Sequence, residues 1–285
     1  MFRGIYTGAS GMIVQLDKMD AVANNMANVD KNGYKRDVTV SKAFPEMLIK
    51  RTDTRYITGY AVGAIENFPL VGKLGTGAEL NEVFSIFSQG VMKETGNQFD
   101  LAIEGKGFFV VQNGRGEERY TRNGAFQIDK NGLLVNKNGL PIMGEEGYIY
   151  LKKNNFIVDA DGRVYQDADL ATPPQRLVTI NEPVWRTVEL VDTLKIVDFE
   201  EPRYIRKEGD SLWRYTEDAG VIYKPELGST TMVRQNFIEG SNVNPVTEMV
   251  RMIEVNRAYE ASSKTVQAQD TLYDKLINDA GKYQG

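Results

Sequence analysis

The chain has 285 residues, enough to bury the core of one large domain or two modest ones, and its 41% apolar and 26% charged residues are the balance of a folded protein. Its 34 basic and 39 acidic residues leave a net charge of -5, no cationic surplus for nucleic acid, and it holds neither cysteine nor histidine. Disulfides, thiolate metal sites and cysteine nucleophiles are thereby excluded, and any catalysis would fall to carboxylates, Lys, Tyr, Ser or an outside cofactor.

The opening MFRGIYTGASGM has one early arginine but no apolar run of signal-peptide length, so no cleaved signal is expected. No stretch approaches the roughly 20 apolar residues of a membrane span, so no direct membrane insertion is expected either. From Ile5 onward, Ile5, Ala9, Met12, Leu16, Met19, Ala23 and Met26 fall in steps of four and three, the a/d line of a heptad helix, although Val14 and Val22 blur it. Gly4, Gly8 and Gly11 each cost this helix about 1 kcal/mol relative to alanine, so packing partners must supply its stability. It runs into ANNMANVDKNGYKR, where Asn28 reads as a terminator and Asn24 and Asn25 as amides that bond adjoining helices. The adjacent cations Lys35 and Arg36 read as solvated.

From about Val40 to Val83 the periodicity is weak and glycines are scattered, which predicts an extended connector; GKLGTG at Gly72 reads as a flexible loop, not a phosphate cradle. Beyond it the texture turns to alternation and turn punctuation. Phe99, Leu101 and Ile103 alternate with polar or small residues, GFFVVQ follows, and DKNG at Asp129, NKNG at Asn136 and DADG at Asp159 mark hairpins of an antiparallel β domain. Further strands are expected at Phe156 to Val158 and Leu194 to Phe199. DADGRVYQD lacks the third oxygen ligand and the terminal Glu of a calcium loop, so it is read as a turn, and no catalytic, cofactor or metal constellation is found. After Pro245 a long helix follows without Gly or Pro until Gly281, with a seam of Val255, Tyr259, Ser262, Val266, Gln269, Tyr273, Leu276 and Ala280.

Three blocks carry a resemblance: the first helix with ANNMANVDKNGYKR, the run from FSQGVMKETGNQFDLAIEGKGFF through TRNGAFQIDKNGLLVNKNGLPIMG, and EGSNVNPVTEMVRMIEVNRAYEASSKTVQAQDTLYDKL. Together they resemble the flagellar basal-body rod proteins of the FlgF/FlgG group, which has hook subunits among its relatives. The resemblance implies an α+β fold in which residues 1–36 and 241–285 form an inner helical coiled coil, 37–83 a connector and 84–240 an outer β domain. It implies a non-enzymatic axial subunit that meets other rod subunits and itself in a helical assembly, transmits torque, and reaches the periplasmic rod through the flagellar type III export apparatus. The opening RGIYTGASGM looks more like the proximal-rod FlgF type, with the distal-rod FlgG type or a hook subunit as alternatives; the stretch TINEPVWRTVELV departs from the pattern. The residues expected at subunit interfaces are the first-helix line Ile5, Ala9, Met12, Leu16, Met19, Ala23 and Met26 with Asn24 and Asn25, and on the last helix Val255, Tyr259, Ser262, Val266, Gln269, Tyr273 and Leu276. A secreted coiled-coil adhesin and a carboxylate-based hydrolase are the readings from other classes. The first would form a discrete oligomer and the second would need an acidic cleft with one raised carboxyl pKa.

Overall fold

A computed structural model describes residues 3–50, 70–151, 156–167, 188–228 and 231–282. They fall into two compact units: Met1–Ala23, Thr39–Val83 and Met249–Gly285 make the first, and Asn24–Val38 with Phe84–Glu248 the second. The fold is α+β, two long terminal helices flanking antiparallel strands.

Helix α1 covers Arg3–Ala27 and α2 covers Pro245–Lys282. The start of α2 follows from local chemistry. Asn244 Oδ1 accepts from the backbone N–H groups of Val246 (3.0 Å) and Thr247 (3.3 Å), which would otherwise be orphaned, and Pro245 needs no such partner. In the first unit the two helices pack antiparallel, with Gly4 against Gln269, Gly8 against Val266 and Gly11 against Ser262. A Cβ built on Gly8 would sit 2.6 Å from Val266 Cγ2, so the glycines that weaken α1 as a free helix are what admit its neighbour.

The covered face of α1 therefore runs through Gly4, Gly8, Gly11, Val14 and Val22, with Val14 and Val22 only 3% and 8% exposed. This face is set one residue earlier than the heptad line read from the sequence, about 100° round the helix. On that line Ile5, Ala9, Met12, Met19 and Met26 are half-buried and Leu16 and Ala23 exposed. On α2 the half-buried stripe does include Val255, Tyr259, Ser262, Val266, Gln269 and Tyr273, whereas Leu276 is exposed.

The described part of the connector is two antiparallel strand pairs, Asp37–Ala43 with Ala78–Ser85 and Met47–Lys50 with Leu70–Leu74. Gly72 to Leu74 of GKLGTG thus lies in a strand, where Gly72 pairs with Ile49, and not in a loop. The alternation that would have shown this is broken by Gly72 itself, which has no side chain to count.

In the second unit a six-stranded antiparallel sheet runs in the order Arg206–Gly209, Leu212–Arg214, Glu118–Thr121, Phe108–Gln112, Ile196–Phe199, Ile222–Tyr223. The run FFVV is continuous because both sheet faces are covered. Phe109 and Val111 enter one core with Leu101, Ile142, Leu194 and Ile196, while Phe108 and Val110 enter another with Phe199 and Trp213. Aromatic pairs hold the second core, Phe108 lying 5.7 Å and Phe87 5.6 Å from Trp213 in edge-to-face geometry. The predicted hairpins at Asp129, Asn136 and Asp159 share one construction. The fourth residue of each, Gly132, Gly139 or Gly162, has φ of 74 to 83° and its N–H donates back to the carbonyl of the first. TINEPVWRTVELV lies outside the described residues up to Thr187.

Candidate assembly surfaces and a buried polar hub

Two kinds of site stand out, one on the helix surfaces and one inside the β unit. On the helices, large apolar side chains face water: Tyr6, Ile13 and Leu16 on α1, Val246, Met249, Val250 and Ile253 at the start of α2, and Leu272, Leu276 and Ile277 near its end. Val246, Met249, Val250 and Ile253 recur at the spacing of a single helical face, a contiguous apolar stripe on a helix that is otherwise strongly polar.

The second site lies where the stretch after α1 meets the β domain. Asn25 is 1% exposed and spends all four of its hydrogen-bonding positions within the chain. Its Nδ2 donates to Asp37 O (2.9 Å) and Glu248 Oε2 (3.4 Å); its Oδ1 accepts from Asp37 N (2.9 Å) and from the Tyr34 hydroxyl (3.1 Å). The amide pairs with both backbone groups of Asp37, as a strand neighbour would. Asn24 behaves differently. It is exposed, and its carbonyl and Oδ1 accept from Asn28 Nδ2 at 2.7 and 3.0 Å, a local closure of the helix end.

Lys35, expected to be solvated, is fully buried. Its ammonium donates to Glu239 Oε1 at 2.6 Å and Ser88 O at 2.8 Å, and Glu239 is likewise 0% exposed. The other carboxylate oxygen of Glu239 takes Arg122 Nη1 at 3.4 Å, while Arg122 Nη2 donates to Gly105 O at 2.9 Å. Burial lowers Lys35 and Arg122 below their ordinary pKa values, and the Glu239 charge offsets only part of that. A charge in such surroundings persists only when paired, so each member depends on the others.

Around this triad the backbone fits closely. A Cβ on Gly33, whose φ is +65°, would fall 2.5 Å from Asn123 N, and one on Gly90 would fall 2.1 Å from Gly240 O. Asn242 accepts from Arg36 N (2.8 Å) and donates to Ile86 O (2.8 Å). Lys207 donates to Lys35 O and Asp37 Oδ1 and sits 4.0 Å from the centre of the Tyr34 ring. Burial, and then the Asp37 charge, raise the Tyr34 hydroxyl above its usual range.

Sequence reasoning missed Arg122, Glu239, Glu248, Lys207 and Asn242 as members of a site. The signal was present in another form. Four of the stretches that meet at this hub, GYKR, FSQG, TRNG and EGSN, belong to the blocks that carry the resemblance. Among the described residues no group of three or more His, Cys, Asp or Glu is placed to hold a metal. A cleft of about 450 Å³ is lined by Met143, Glu145, Glu146, Lys195 and Lys224 among others, and its Glu145 is already paired with Lys224.

The comparisons with known proteins bear on the same segments. Residues 5–35 match the family described as flagella basal body rod protein, 102–181 the flagellar hook protein FlgE/F/G D1 domain, and 234–279 the flagellar basal body rod FlgEFG protein C-terminal family. Over nearly its whole length the chain is 32% identical to the flagellar basal-body rod protein FlgG of Buchnera aphidicola subsp. Schizaphis graminum, covering 97% of this chain and 99% of that one. The chain belongs to the flagellar basal-body rod family. Within the family it is also 35% identical to FlgG of Borreliella burgdorferi (95% of this chain, 96% of that one) and 30% identical to FlgF of Caulobacter vibrioides (99% of each). As a member it is a structural, non-enzymatic subunit of the flagellar basal-body rod, and no helix among the described residues is long and apolar enough to cross a membrane.

Proposed function

We propose that the chain is an axial rod subunit that polymerises helically with itself and with other rod subunits through α1 and α2, transmits torque by that packing, and is delivered by the flagellar type III export apparatus. The observation that carries this reading is the set of large apolar side chains that both terminal helices leave in water, Ile13 and Leu16 on α1 and Val250, Ile253, Leu276 and Ile277 on α2. In a monomer they contribute nothing; covered by neighbouring helices, each would contribute about 1.5–3 kcal/mol. The interface residues Ile5, Met12, Leu16, Val255, Tyr259 and Leu276 belong to this proposal, with Ile13, Val250 and Ile253 added. Asn25 is removed from it, because its amide has no capacity left.

The experiment is a chromosomal Leu16→Asp, Leu276→Asp double substitution. The purified subunit should keep its β-domain melting transition, while cells lack rods in electron micrographs and do not swim. Swimming cells with rods of normal appearance would overturn the assignment.

Within the rod, the proximal FlgF-type position is the reading that RGIYTGASGM supports, and the distal FlgG-type position is favoured by the FlgG-named relatives. Complementation separates them: the gene is placed in strains lacking either FlgF or FlgG, and the strain whose rod assembly it restores decides the type.

A further inference from the structure

Lys35, Arg122 and Glu239 come from three distant parts of the chain, yet each is at most 4% exposed and both cations are bridged to Glu239. Without Glu239 in place, seating the segment Asn24–Val38 would bury the Lys35 ammonium beside the Arg122 guanidinium with the carboxylate it bonds missing, a costly arrangement. The Cβ-free approach of Gly33 to the Arg122–Asn123 backbone leaves no room for compensating water at that contact. We propose that Glu239 is a latch: the segment following α1 locks onto the β domain only after the strand Phe237–Glu239 has paired, so the N-terminal junction stays open until the C-terminal part of the chain has arrived.

This order of events is independent of rod assembly and belongs to the folding of the full chain. Two backbone amides report it. Asp37 N–H donates to Asn25 Oδ1 and Ile86 N–H donates to Arg36 O at 2.9 Å, and neither uses an acceptor from residues 234–248. Gly240 N–H, donating to Val91 O at 2.8 Å, reports arrival of the C-terminal strand.

In pulse-labelled refolding of the full chain, protection at Asp37 and Ile86 should appear in the same phase as Gly240 or later; protection that precedes it overturns the latch. In the folded state, Glu239→Gln should speed exchange at Asp37 and Ile86 by roughly 100-fold while Val110 and Met143, which take part in the bonds of the central sheet, change by less than about threefold. Adding Lys35→Met to Glu239→Gln should restore at least tenfold of that protection, because of the two buried cations that lose their acid only Arg122, still bonded to Gly105 O, then remains. If the hub is packing alone, the second substitution instead adds damage, and that result also overturns the proposal.

Discussion

The helix pair and the β unit solve the same problem in opposite ways. The β unit covers both faces of its central sheet with side chains such as Phe109, Leu194, Phe108 and Trp213, and it pairs the buried Lys35 and Arg122 internally with Glu239. The helices meet through glycines, Ser262, Val266 and Gln269, and leave Ile13, Leu16, Ile253 and Leu276 in water. A region that buries its own apolar surface is stable alone; one whose closest contact is built from small residues gains little from that contact and keeps its apolar surface for others. The division fits a subunit that must fold one part and assemble with the other.

The contrast breaks most visibly in the aromatic core. Trp213→Ala should cost the β unit about 3–5 kcal/mol through the cavity left among Phe87, Phe108 and the residues around them, read as a lower urea midpoint at unchanged slope. A loss below about 1 kcal/mol would mean that the core is not closed around this ring.

Next in size are the asparagines, which the structure separates. Asn25→Ala orphans both backbone groups of Asp37 and should cost roughly 2–4 kcal/mol, whereas Asn24→Ala should stay within about 0.5 kcal/mol. Equal effects in chemical denaturation would contradict the buried hub.

Gly8→Ala sharpens the comparison on the helical side. Alanine raises helix propensity by about 1 kcal/mol, but its methyl would press on Val266 Cγ2, so the helix pair should lose about 1 kcal/mol net in thermal melts followed by helical circular dichroism. A stabilised helix pair would show that α1 and α2 are not in contact at this point.

Smallest on folding is Leu16→Asp, an exposed position where the isolated subunit should change by less than about 0.5 kcal/mol while rod assembly is lost. A large folding penalty would place Leu16 inside the subunit instead of between subunits.

Several features were legible because their causes are local. Pro245 suits the first turn of a helix, the hairpins at Asp129, Asn136 and Asp159 each need only a glycine that tolerates positive φ, and GFFVVQ belongs to a texture that announces strands. On α2 the line read from the sequence coincides from Val255 to Tyr273 with the half-buried stripe, and Leu276 beyond it is exposed.

On α1 the local signal was ambiguous. Leu16 and Met12 outweigh Val14, Val22 and the glycines in any count of hydrophobicity, so the line read from the sequence marks a different face from the one that meets α2 through its glycines. Steric room decided that contact, and room is a property of the partner: Gly8 matters because Val266 lies opposite.

The amino-acid sequence by itself determined helical ends, a β-rich middle and the turns between strands, since these depend on residues within one or two turns of each other. Only the tertiary structure decided which face of α1 is covered and that Lys35, read as solvated, is buried against Glu239. Such a burial has no periodicity to betray it, because its free energy depends on residues 35, 122 and 239 meeting in space, and that meeting is settled by the fold as a whole.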